Sequence, residues 1–99
     1  MRLTPAQRHA ILDAIHGETG PTVRVLLFGS RLDDHLRGGD VDLLVEFQDP
    51  VERPALMSAR LATRALRALG GRKVDVVISA PNLLRTSIHE IAYAEGEPL

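Results

Sequence analysis

Residues 40–47 alternate without a break: Val41, Leu43, Val45 and Phe47 fall on one side of an extended chain, and Asp40, Asp42, Leu44 and Glu46 on the other. A period of two this regular predicts a β-strand and rejects a helix, and it sends both aspartates to the same side of a sheet. Two other runs have strand composition, residues 22–28, which end in Phe28, and residues 73–78, which hold Asp75 between valines.

Helical signals separate these runs. Thr4 as a cap, Pro5 at the first helical position and Gln7 three residues after the cap predict a helix start. Ile11, Leu12 and Ile15 supply its buried stripe, and Gly17 with Gly20 and Pro21 is expected to end it. A short helical turn is predicted over residues 31–37, after which Gly38 and Gly39 open the second strand. Residues 53–69 read as a helix with Met57, Leu61, Ala65 and Leu69 inward, stopped by Gly70 and Gly71. Residues 82–95 read as a last helix with Leu84, Ile88 and Ile91 at helical spacing. Strands alternating with helices predict an α/β fold, one sheet of about three strands with helices packed against it.

Ninety-nine residues make one domain, 1–99, with only Phe28, Phe47 and Tyr93 as aromatics, so the core must rest on Leu, Val, Ile and Ala. A net charge of -1 argues against a generic nucleic-acid binder. The absence of cysteine excludes disulfides and thiolate zinc sites. No apolar run approaches the roughly 20 residues of a membrane span, and the first residues lack the apolar core of a signal peptide. A cytoplasmic protein is the expectation.

The chemistry is concentrated in two places. Gly29, having no Cβ, lets the backbone approach a phosphate closely. Ser30 offers a hydroxyl, the following turn offers N–H donors, and Arg31 offers a charge-assisted bond. Asp40 and Asp42 lie two apart on one strand face, where a pair of carboxylates suits Mg²⁺, a hard cation that takes oxygen ligands and substrate phosphates. Asp75 would complete the site if its strand neighbours theirs, and would then serve as a base for an attacking hydroxyl. Taken singly, a Gly-Ser is an ordinary turn and an Asp-x-Asp an ordinary strand end; the joint order of strand, Gly-Ser, short spacer and Asp-x-Asp is far rarer by accident.

Residues 27–31 (Leu27, Phe28, Gly29, Ser30, Arg31), together with Asp40, Val41, Asp42, Leu43, Leu44 and Val45, resemble the minimal nucleotidyltransferases of the DNA polymerase beta superfamily. The resemblance spans nearly the whole chain, and the Gly-Ser and Asp-x-Asp portion is its specific part. It implies a small mixed sheet in which Asp40, Asp42 and Asp75 hold two Mg²⁺ ions while Gly29, Ser30 and Arg31 hold the triphosphate of ATP. It also implies transfer of AMP to a protein hydroxyl and pairing, as antitoxin, with an all-helical HEPN-type toxin.

Two departures motivate an alternative expectation. Leu32, Asp33 and Asp34 stand where the family often has Ala-x-Gly, and Gly39 where a Ser commonly precedes the first acid. Extra negative charge beside a triphosphate suits a catalytically weak or inactive nucleotide-binding antitoxin that neutralises its partner by binding. Transfer to a small molecule is disfavoured, since 99 residues leave no second domain to hold the acceptor. Arg60, Arg64 and Arg67 at i, i+4 and i+7 read as a solvated helix face, and His9, His16, His35 and His89 as surface positions. Lys73 shares the strand side of Asp75, as a phosphate contact or as the acid's partner.

Overall fold

The computed structural model describes residues 3–29 and 41–99. Among these residues, three helices and four strands follow in the order α1 (Pro5–Thr19), β1 (Arg24–Phe28), β2 (Val41–Glu46), α2 (Pro54–Ala68), β3 (Val74–Ser79), α3 (Ser87–Glu95) and β4 (Glu97–Pro98). The strands form one mixed sheet in the order β3-β2-β1-β4. β1 pairs antiparallel with β2 and β4, while β2 and β3 run parallel, joined by α2 as a crossover. The α/β expectation is met.

The first helix starts where its sequence says it should. The Thr4 hydroxyl accepts from Gln7 N–H at 3.1 Å and the Gln7 side chain accepts from Thr4 N–H at 2.8 Å, a reciprocal cap on α1. That helix continues through Gly17 and stops only at Gly20, so Gly17 is not the breaker it was expected to be. Gly70 and Gly71 both take positive φ, 69° and 99°, and Gly71 N–H bonds back to Leu66 C=O at 2.8 Å, which closes α2.

The two sides of the sheet are covered unequally. Ile11 and Ile15 from α1 and Leu61 and Ala65 from α2 pack on Val25, Leu27, Val41, Leu43, Val45, Val74 and Ile78. Met57 and Leu69 join this core as partly buried neighbours, completing the inward stripe expected for α2. The opposite side carries Leu26, Phe28 and Leu44 under Ala92 and Tyr93 of α3. Because side chains alternate along a strand, that second side is also where Asp42, Glu46, Asp75 and Ser79 emerge.

Three expectations need correction. The sheet has four strands rather than about three: Glu97 and Pro98 pair with Leu27 and Leu26, and Arg8 donates to Pro98 C=O at 3.1 Å. Proline lacks the N–H a central strand would need, which suits it to this edge. The last helix begins at Ser87, not at residue 82, because Thr86 caps it and the Asn82 side chain is committed to Val51, accepting from its N–H and donating to its C=O, both at 2.9 Å. Its buried residues are His89 and Ala92, whereas Ile88 and Ile91 face outward, and Leu84 is exposed in the segment before the helix. His89 is therefore interior rather than a surface histidine.

Candidate active site

The fold brings together three of the residues singled out from the sequence. Asp42 is the register partner of Phe28 on one side and of Asp75 on the other. Adjacent strands lie about 4.8 Å apart, so the two aspartates stand side by side on the same sheet side. Gly29 follows Phe28 directly and lies against the Asp42 carboxyl group. Thus the C-terminal end of β1 and the N-terminal ends of β2 and β3 converge on one point.

The local reasons are visible in each element. Val41 and Leu43, buried under the helices, fix the orientation of β2, and the residue between them must then face the other way. Val74 and Val76 do the same for Asp75 on β3. Asp42 is half-buried and Asp75 exposed, so the pair is open to solvent and to a ligand from that side. Lys73 C=O accepts from Val41 N–H at 3.1 Å, extending the pairing by one residue and putting exposed Lys73 beside the pair on the Asp75 side.

Ser30, Arg31 and Asp40 lie outside the described residues, as do the turn expected over 31–37, Gly38 and Gly39, and the departures at Leu32, Asp33 and Asp34. Among the described residues no three acids or histidines cluster as a metal site. The donor set that is described, two carboxylates in register with no apolar cover over Asp75, fits a hard oxygen-seeking cation such as Mg²⁺.

The same sheet side holds a second polar group that the sequence did not announce. At the far end of the strands Tyr93 donates to Glu46 and lies 2.9 Å from the Ser79 hydroxyl. Arg24 pairs with Glu46 at 3.3 Å, and Arg85 stacks 4.3 Å from the Tyr93 ring centre. Glu46 and Ser79 are register partners, so one strand pair presents acids at one end and this cluster at the other. Alternation from Asp42 would have placed Glu46 here; nothing in the pattern pointed to Tyr93.

A cleft of about 450 Å³ lined by Phe47, Val51, Leu56, Met57 and Arg53 opens beyond the C-terminal end of β2. It is at the opposite end of the strands from Asp42 and contributes nothing to the carboxylate pair. On α2, exposed Arg60 and Arg64 both reach partly buried Glu18 of α1, at 3.5 and 3.0 Å, away from the acids.

Comparison with known proteins gives one finding. The family model described as nucleotidyltransferase domain matches residues 11–96, which takes in Gly29, Asp42 and Asp75. No curated protein and no solved structure matches the chain.

Proposed function

This chain belongs to the nucleotidyltransferase domain family, and from that membership we propose that it moves AMP from ATP onto a hydroxyl of a protein partner. The observation that carries the reading is the Asp42–Asp75 register pair with Gly29 against it, at the end of the sheet where three elements meet. Carboxylates in register on one side can share a cation, and the cation can take phosphate oxygens as further ligands.

The chemistry is an in-line displacement. The acceptor oxygen forms a bond to the α-phosphorus while the bond from that phosphorus to the bridging oxygen of pyrophosphate breaks. The electron pair leaves with pyrophosphate, and the hydroxyl proton passes to Asp75, the more exposed of the two carboxylates. Asp42, with Asp40, would hold Mg²⁺, and Asp75 would complete the set; a second ion fits the same chemistry. Bound there, Mg²⁺ would neutralise the triphosphate and lower the pKa of the attacking hydroxyl. Gly29, Ser30 and Arg31 would hold the triphosphate from the β1 side.

We assign the partner as an all-helical HEPN-type protein, with this chain as its antitoxin. Two things support a macromolecular acceptor. The acids lie on an open sheet side rather than inside a closed pocket, and Ile88 and Ile91 on the outer side of α3, with Leu84 in the segment before it, are exposed. A small acceptor would need walls that the described residues do not build around Asp75.

The test is incubation of the purified protein with Mg²⁺, ATP labelled at the α-phosphate and a lysate of its native organism, beside Asp42→Asn. Label transferred by the wild type alone supports the reading, and mass spectrometry of the labelled band identifies the acceptor. Transfer that survives Asp42→Asn overturns it. If wild type binds Mg-ATP and a helical partner yet moves no label, the chain acts by masking that partner.

A further inference from the structure

The geometry points to Gly29 as the residue that positions the Asp42 carboxylate, beyond any contact it makes with phosphate. The inference rests on the function proposed above. Gly29 is exposed, at the end of β1, and takes φ +80°. A Cβ placed there would meet three atoms first, and all three belong to Asp42: Oδ2 in outright collision, Cγ at 3.2 Å and Cβ at 3.4 Å. Apart from the positive φ, what a side chain at this open position would meet is one carboxylate.

That contact fixes a direction. Asp42 stands between Phe28 of β1 and Asp75 of β3. Its carboxyl group lies on the β1 side, over Gly29, and so leans away from Asp75. Two carboxylates directly opposite on neighbouring strands repel each other. Leaning toward Gly29 separates their charges. Any Cβ at position 29 would expel Asp42 from that site, either toward Asp75 or out into solvent. Both displacements spoil a ligand set that needs its oxygens held in place.

Two independent demands thus fall on one residue, a left-handed backbone and an absent Cβ, and they can be separated by substitution. Asparagine tolerates positive φ better than alanine does but carries a Cβ all the same. Removing Asp42 instead takes away the obstacle while leaving the backbone demand.

The experiment measures Mn²⁺ binding and the thermal midpoint for wild type, Gly29→Ala, Gly29→Asn, Asp42→Ala and the Gly29→Ala/Asp42→Ala double variant. The expected result is a loss of Mn²⁺ affinity of about 10–100-fold in both Gly29 variants, the range seen when a residue supporting a ligand is changed. Gly29→Ala should lower the midpoint in the wild-type background by several degrees and by much less when Asp42 is already alanine. Equal Mn²⁺ affinity in wild type and Gly29→Asn would overturn the positioning role, as would an identical midpoint loss in both backgrounds, which would leave backbone strain alone. Wild type that takes up no Mn²⁺ overturns the nucleotidyl-transfer reading itself, and the positioning role with it.

Discussion

Tyr93 of α3 donates its phenolic hydrogen to the carboxylate of Glu46 on β2, a bond across 47 positions of sequence that ties the last helix to an interior strand. The Ser79 hydroxyl lies 2.9 Å from the same phenol oxygen, so β2, β3 and α3 share one polar junction.

This junction has an alkaline signature. The Tyr93 pKa is raised above its usual 10.0, first because burial disfavours the phenolate and second because the Glu46 carboxylate accepts its hydrogen. The folded chain therefore keeps this proton to higher pH than the unfolded chain. The stability it brings is complete below pH 10.0 and is lost as pH rises through the folded value. Tyr93 is the one tyrosine and there is no tryptophan, so phenolate absorbance reports this group alone. Titration should fall above 10.0 in the native protein and return to it in denaturant. Tyr93→Phe should cost about 1 kcal/mol at neutral pH and should flatten the alkaline decline in stability.

The Asp42–Asp75 pair predicts a metal-linked stability. Without a cation the two carboxylates oppose each other by about 0.2–1 kcal/mol, so Asp75→Asn should be at least as stable as wild type in chelator. With Mg²⁺ at about 100 times its dissociation constant, wild type should gain about 2.7 kcal/mol, and the Asp42→Asn/Asp75→Asn double variant should gain nothing. Thermal melts of the three proteins with and without Mg²⁺ measure this. An equal Mg²⁺ gain in the double variant would move the cation site elsewhere.

Most of what places these acids was legible before any coordinates. Strict alternation from Val41 to Phe47 fixes which way Asp42 points, and buried Val74 with partly buried Val76 does the same for Asp75 on β3. What alternation cannot give is register. The pairing of Asp42 with Asp75 depends on how far β3 slides along β2, which tertiary packing of α2 decides. Helical spacing misled at α3 for a related reason. Leu84, Ile88 and Ile91 have the right period, but the stripe that meets the sheet, His89 and Ala92, lies one residue further along, about 100° around the helix, and His89 is admitted because both its ring nitrogens find partners. β4 is two residues long and includes a proline, too short for any period to register.

His89 is the clearest case of a polar group that the core depends on. Its Nδ1 accepts from Thr86 N–H at 3.0 Å, which leaves Nε2–H to donate to Ile78 C=O at 2.8 Å. Truncation to alanine strands both backbone groups and empties a buried volume, so His89→Ala should destabilise by about 2–3 kcal/mol. Gln is the usual residue at this place in a capping box and can still accept from Thr86. His89→Gln should therefore recover part of the loss. Urea unfolding of the two variants checks the order, and equal losses would show that the cap contributes nothing.

The outward residues of α3, with Leu84 in the segment before it, make the opposite prediction. Leu84 is 86% exposed, Ile88 41% and Ile91 45%. Each is wet in the isolated chain, so replacing it by serine gives up little burial, and changes should stay within about 0.5 kcal/mol per site. If the helical partner proposed above seats on this side of α3, the same substitutions should abolish co-purification while the purified chain still binds Mg-ATP. A pull-down from the native organism with wild type, Leu84→Ser and Ile88→Ser/Ile91→Ser, each first matched for thermal midpoint, measures both halves. Retention of a labelled acceptor by all three would place the docking surface elsewhere, and the side of the sheet around exposed Asp75 would be the next to substitute.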